Sequence, residues 1–180
     1  MPNIVDNRLF VTGEDTKDFI MGIKPDPLRD GTPAMLSTYL PCTKELAEIA
    51  RLSIEGQIFT FDSQQERLVR AYGRPNAETC VSDEYGWGDE YTSIKLAHEA
   101  AVLTFVSAAS PPVFGVLMLS KMFPTLTFAL EWAEVGIGLS GECVIRAGEV
   151  KQMLESLDFN FNTKFAVERY GEDPFTDDLP

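Results

Sequence analysis

The chain has 180 residues, 28 of them acidic and 15 basic, with a net charge of −13 and 44% hydrophobic residues. That length and apolar content suffice for one domain, residues 1–180, with a sizeable core, and the charge disfavours direct binding of DNA or RNA, which draws on lysine and arginine to neutralise phosphates. Cys42, Cys80 and Cys143 are widely spaced and form no C-x-x-C pair, which argues against a disulfide framework or a zinc site.

The opening MPNIVDNRLF lacks the basic and apolar regions of a signal peptide, and no apolar run reaches the roughly 18 residues of a membrane span. The expectation is a soluble protein of a reducing cytoplasm with no membrane partner. The acids are unevenly placed. Residues 1–77 carry 11 against 9 bases, whereas residues 78–180 carry 17 against 6. Solubility accounts for an acidic surface in general, but a one-sided excess also suits attraction to a basic protein surface.

RLFVTG predicts a strand closed by Gly13, and EDTKDFIMGI a helix with Asp15 at its N-cap and Phe19, Ile20 and Ile23 along its apolar stripe. Three prolines and a glycine make Lys24–Pro33 a connecting loop. Two helices are then expected, one in KELAEIARL after Thr43 and one in SQQERLVRAYG, where Ser63 and Glu66 fit a capping box and Gly73 ends it. QIFTF between them reads as a short strand. Residues 25–80 are therefore taken as a helical insertion.

RPNAETCVSDEYGWGDEYTS, residues 74–93, is polar and acidic and carries Tyr85, Trp87 and Tyr91, which serve either to anchor a loop or edge strand or as apolar anchors of an interface. AAVLTFVSA is apolar on both faces, as a central strand is. SPPVFGVLMLSKMFP has a helix entry at Ser110 and Pro111 and a stop at Pro124.

LTFALEWAEV alternates Leu126, Phe128, Leu130 and Trp132 against Thr127, Ala129, Glu131 and Ala133, the period of a half-buried strand. The following GIGLSG, Gly136–Gly141, matches the G-x-G-x-x-G of dinucleotide-binding enzymes, but that site needs a helix after the glycines. ECVIRAGEV reads instead as a second strand, so the glycines are expected to turn a hairpin. VKQMLESL predicts a short helix, FNFNTKFAV a strand, and YGEDPFTDDLP ends in an acidic tail, residues 171–180.

This order describes an α+β fold on the ferredoxin-like split β-α-β plan: a mostly antiparallel sheet with two helices on one face, a helical insertion and a C-terminal hairpin extension. The name carries no iron–sulfur chemistry, since four ligating cysteines are not present.

MPN followed by Asn7, Arg8, Leu9, Val11 and Gly13 resembles the opening MPNxxxNxLxVxG of the YubB-like ferredoxin-like proteins of phages and plasmids. FVSAASPP, Phe105–Pro112, is similar to that family's F-x-T-A-W-S-P-P, continued by Leu119, Ser120, Phe123 and Pro124, and Glu134, Gly136 and Gly141 fall at the family's acidic strand and glycine turn. Ala109 stands where the family has tryptophan, and residues 25–80 fall outside the resemblance. The resemblance implies the fold and an accessory protein of a mobile element in a bacterial cytoplasm; it implies no reaction.

Catalytic patterns are missing from the sequence. His98 is the sole histidine, and no G-x-S-x-G, H-E-x-x-H, Walker A or EF-hand loop occurs. Glu131 and Glu134, three apart on a strand, point to opposite faces and do not converge. No enzyme activity, cofactor or metal is expected.

The leading expectation is an interaction protein whose Asp83, Glu84, Asp89, Glu90 and Glu134, with Tyr85, Trp87 and Tyr91 as anchors, dock on a basic, nucleic-acid-binding surface of a host protein such as a defence nuclease. Alternatives are a small-ligand binder or enzyme with Trp87 and the Gly136–Gly141 turn lining a pocket, and an oligomeric accessory protein pairing through Phe159–Phe165, so that monomer and homodimer both stay open.

Overall fold

In a computed structural model, residues 4–24, 35–40, 90–108, 111–157 and 164–170 are described. Alternating apolar side chains make β1, Ile4–Thr12, in which Val5, Leu9 and Val11 are fully buried. It leads into α1, Thr16–Gly22, and a short α2, Met35–Tyr39. There follow β2, Glu90–Leu96, β3, Ala100–Ala108, and α3, Val113–Met122. The chain closes with β4, Thr127–Glu134, β5, Leu139–Arg146, β6, Glu149–Leu157, and α4, Lys164–Tyr170.

The six strands form one sheet in the order β2-β3-β1-β4-β5-β6, and every neighbouring pair is antiparallel. The fold is α+β. β1 lies between β3 and β4, so β1 and β2 run in the same direction with β3 between them. Each therefore needs a crossover, and α1 lies on the chain between β1 and β2 as α3 lies between β3 and β4.

One sheet face carries the main core. Phe128, Leu130 and Trp132 of β4, with Leu126 just before it, meet Leu9 and Val11, Leu103 and Phe105, and Cys143 and Ile145, under Phe19 of α1, Met35 and Leu36 of α2 and Val116 and Leu119 of α3. The rings of Phe19, Tyr39, Phe123 and Phe128 pack at centroid distances of 5.0–5.5 Å, stacked or edge to face. The opposite face is covered locally by α4, whose Phe165 and Ala166 are buried against Ala133.

Several local expectations need correction. Asp15 sits at the N-cap of α1 without capping it; its carboxylate accepts from Thr125 Oγ1, while Thr16 Oγ1 donates to the Gly13 carbonyl at 2.8 Å. α3 starts at Val113 behind Pro112, whose carbonyl accepts from the Val116 amide, and Ser110 lies outside the described residues.

The larger correction concerns VKQMLESL, which is strand β6 and not a helix. Ala147 and Gly148, at φ 49° and 78°, form a two-residue hairpin turn of the hand that matches strand twist, and they pair Arg146 with Glu149. That turn overrides the helical spacing of Val150, Met153, Leu154 and Leu157. Likewise Lys164–Val167, the end of the expected FNFNTKFAV strand, open the helix Lys164–Tyr170, because Phe165 and Ala166 dock as a helix face on Ala133, and residues 159–163 of that segment lie outside the described residues. The expected KELAEIARL and SQQERLVRAYG helices, the QIFTF strand and the acidic tail lie outside the described residues.

Candidate functional site

GIGLSG does turn a hairpin. β4 pairs with β5 from Thr127↔Arg146 to Glu134↔Leu139, with Val135–Gly138 as the connection. No helix follows the glycines, so the arrangement that seats a pyrophosphate is missing. The turn's amides are already taken: Gly136 and Ile137 donate to Glu134 Oε1 and Oε2, each at 2.8 Å.

This overturns the expectation for Glu134. It is 3% exposed, and both carboxylate oxygens accept from backbone, so it scaffolds the turn and offers nothing to a partner. Gly141, the last glycine, faces the indole of Trp132 and the Leu154 backbone. A Cβ there would fall well inside van der Waals contact of the Trp132 indole and 2.7 Å from the Leu154 carbonyl oxygen, so only glycine lets the indole lie against this backbone.

The remaining residues expected to bind a partner divide in two. Asp83, Glu84, Tyr85, Trp87 and Asp89 lie outside the described residues; Glu90 and Tyr91 open edge strand β2, paired with Val106 and Phe105. The registers place that opening precisely enough to matter. One row across the sheet runs Glu90, Val106, Asp6, Ala133, Ser140, Ser156. The entry to β2, the β4–β5 turn and the exit of β6 at Leu157 therefore share one end of the sheet. α4 joins them there, since Arg169 Nε donates to Asp6 Oδ2 at 3.1 Å and the Tyr170 hydroxyl donates to the same oxygen.

Charge is distributed around that end in a particular way. The described residues hold 12 acids and 9 bases, a net of −3 out of −13. Most of these acids have partners. Arg8 Nε donates to Glu131 at 2.6 Å and its Nη1 to Glu168 at 2.8 Å, with the guanidinium over the Phe165 ring at 4.8 Å. Burial pulls the Arg8 pKa down, but its hydrogen bonds to Glu131 and Glu168 outweigh that and hold the group above its ordinary value. The hydrogen bond from Arg8 in turn holds Glu168 below the usual glutamate value, and the bond that Arg169 donates to Asp6 raises Arg169.

Of the 17 acids in residues 78–180, nine lie outside the described residues: Glu78, Asp83, Glu84, Asp89, Asp158, Glu172, Asp173, Asp177 and Asp178. They belong to three stretches that attach at Glu90, Leu157 and Tyr170. All three attachment points lie at the same end of the sheet. Five strand spacings of about 4.8 Å put the two outer ones about 24 Å apart, the scale of a protein interface.

The other end has a different character. His98, in the β2–β3 turn, is almost fully exposed and lies 3.7 Å from the Glu99 carboxylate. With Glu14, Lys17, Leu96 and Ala97 it lines an open depression of about 560 Å³. Among the described residues no group of three or more His, Cys, Asp or Glu side chains converges as a metal site, and no helix is long and apolar enough to cross a membrane. Cys143 is a free, buried thiol, its pKa pushed up by desolvation to about 11.

Sequence reasoning missed the Arg8 network. Its signal was available in part: a lone arginine on the outward face of β1, opposite Glu131 once the β1–β4 register is known.

No family model matches the chain, and no curated protein matches it. Among solved structures it is similar to the protein api92 from Yersinia pseudotuberculosis, described with the family model DUF1281, at 12% identity and a TM-score of 0.46, covering 89% of this chain and 100% of that one.

Proposed function

We propose that the protein is an interaction module that presents clustered carboxylates from one end of its sheet to a basic surface of another protein, one that otherwise binds nucleic acid. The observation that carries this is the shared attachment, at Glu90, Leu157 and Tyr170, of three stretches that together carry nine acids, four each in residues 78–89 and 171–180 and one in residues 158–163. The frame beneath them is nearly charge-balanced, so the excess charge is concentrated in those stretches and not spread over the fold. Opposed potentials accelerate encounter and select the partner, and such binding weakens with salt. The strand order supports the ferredoxin-like reading, and the resemblance to phage and plasmid proteins makes a host defence nuclease the partner class this role fits.

The test is capture from bacterial lysate at low salt on immobilised protein, with double-stranded DNA as competitor. The expected result is recovery of a basic protein that DNA displaces, and loss of that recovery when Asp83, Glu84, Asp89 and Glu90 are changed to Lys while cooperative unfolding is retained. Capture that survives both the charge reversal and the DNA would refute the reading.

A further inference from the structure

Helix α4 lies on the outward face of the sheet at the acid-bearing end, and its charge is opposite to that of the surface it rests on. Across β1, β4 and β5 two rows make up that part of the face: Asp6, Ala133 and Ser140 in one, Arg8, Glu131 and Glu142 in the next. Strand alternation turns both rows to the same side. They hold three carboxylates and one base, whereas α4, KFAVERY, carries two bases and one acid.

The attachment of α4 is slight. Seven residues are too few for a helix that stands alone, and only Phe165 and Ala166 are buried, in a cluster with Ala133 that is separate from the main core. The other ties are polar. Arg169 Nε donates to Asp6 Oδ2 at 3.1 Å, the Tyr170 hydroxyl donates to the same oxygen, and Glu168 accepts from Arg8. The side chains of Arg169 and Glu168 are 56% and 45% exposed, and ion pairs so placed each contribute little. A unit held in this way opens by itself while the sheet stays folded.

Opening changes what the face offers. Asp6 loses both Arg169 and Tyr170 and keeps a carboxylate with no base on it. Glu142, beside Glu131 in register, has no ion pair among the described residues even with α4 in place. Ser140, next to Ala133, is fully buried, and its Oγ has no hydrogen-bond partner, a polar atom that α4 leaves unused. Carboxylates beside an unused hydroxyl oxygen suit a guanidinium, which presents five N–H donors in a fork.

We propose, building on the docking role of that end of the sheet, that α4 is an autoinhibitory cover: Arg169 stands in for an arginine of the basic partner, which replaces it on Asp6 when the helix lifts. Encounter begins on the acid-rich stretches, and displacement of α4 adds a contact that selects arginine over the point charge of lysine.

The test sets a nona-arginine peptide against the full chain at low salt, with affinity read by fluorescence anisotropy and opening of α4 by hydrogen–deuterium exchange. In the wild type, Lys164–Tyr170 is expected to exchange faster than β4, and faster still with the peptide bound, because the helix is displaced. Arg169→Ala uncovers Asp6 and tightens binding about three- to fivefold, the range of one exposed ion pair. Arg146→Ala removes the same charge at the opposite end of the sheet and changes affinity by less than about twofold. Asp6→Asn frees α4 as Arg169→Ala does but removes the receiving carboxylate, so exchange in α4 quickens with no gain in affinity. Thermal unfolding confirms that each variant keeps the sheet. No binding of the peptide, binding that leaves α4 exchange unchanged or slower, an Arg169→Ala variant no tighter than Arg146→Ala, or an equal gain in Asp6→Asn would overturn the proposal. A lysate protein captured by the acids and displaced by DNA, found together with an unmoved α4, leaves the docking role standing and removes the cover alone.

Discussion

Replacing Glu134 by Ala separates scaffolding from recognition at this residue. Two backbone amides, of Gly136 and Ile137, each lose a carboxylate acceptor at 2.8 Å. A hydrogen bond to a charged group contributes about 1.5–3 kcal/mol, which for two bonds gives a ceiling near 6 kcal/mol. The two share one carboxylate, and the turn residues Gly136 and Ile137 are exposed, so water replaces much of what is lost. The net expectation is a destabilisation of about 2–3 kcal/mol. For a chain of this length that lowers the midpoint of thermal unfolding by roughly 5–10 °C, at about 2–4 °C per kcal/mol. Glu134→Gln keeps one carbonyl acceptor but turns an NH2 toward a backbone N–H, and falls about midway. Differential scanning calorimetry measures both. Partner capture by the folded variants is expected to match wild type. A Glu134→Ala midpoint within about 1 °C of wild type, or a selective loss of capture with stability intact, would refute the assignment of this carboxylate to the turn.

Two further outcomes follow from the geometry. Arg8→Ala removes the Glu168 ion pair and the Phe165 ring contact that tie α4 to the sheet, along with the Glu131 pair between β1 and β4, with an expected cost of about 1–2 kcal/mol and faster amide exchange in Lys164–Tyr170. Glu168 has its folded pKa depressed by Arg8, so its share of that docking is present above its unfolded pKa and disappears as pH falls through the lower, folded one; exchange in α4 is expected to quicken there. Cys143, by contrast, has a raised folded pKa. Its contribution to stability is intact below the ordinary thiol value of 9.0 and declines between there and about 11, as the unfolded thiol ionises first. The Cys143 peptide is expected to resist alkylation at pH 8 until denaturant is added, and rapid native labelling would contradict its burial.

What the sequence disclosed and what it withheld have physical causes. Phe128, Leu130 and Trp132 announce β4 because a strand half-buried in a single core must alternate, and each is fully buried as that requires. GIGLSG could be read as a turn because the strand after it, with Cys143 and Ile145 inward, alternates as well. β6 was misread because it packs little: Val150, Met153, Leu154 and Leu157 fall three and four apart by composition of an exposed edge, and only Ala147–Gly148 and the pairing with β5 decide its form. Phe165 and Ala166 acquire their helical face from Ala133 and Arg8, more than 30 and 150 positions away in the chain, where no local pattern reaches. Glu134 looked like a surface acid because carboxylates are rarely buried, and its two amide donors sit only two and three residues on. At the candidate interface, the sequence located the excess of acids, and topology supplied what sequence lacks, the gathering of their three attachment points.

The seating of Trp132 on the bare backbone of Gly141 gives the protein an optical reporter of its own. The chain holds one other tryptophan, Trp87, in the acid-rich stretch. A fully enclosed indole emits at shorter wavelength than a hydrated one, so Trp87→Phe leaves a fluorophore that watches the β4–β5 hairpin alone. Any event that pries β5 from β4 lets water reach that ring and moves its emission toward the red, without a dye or a label being attached.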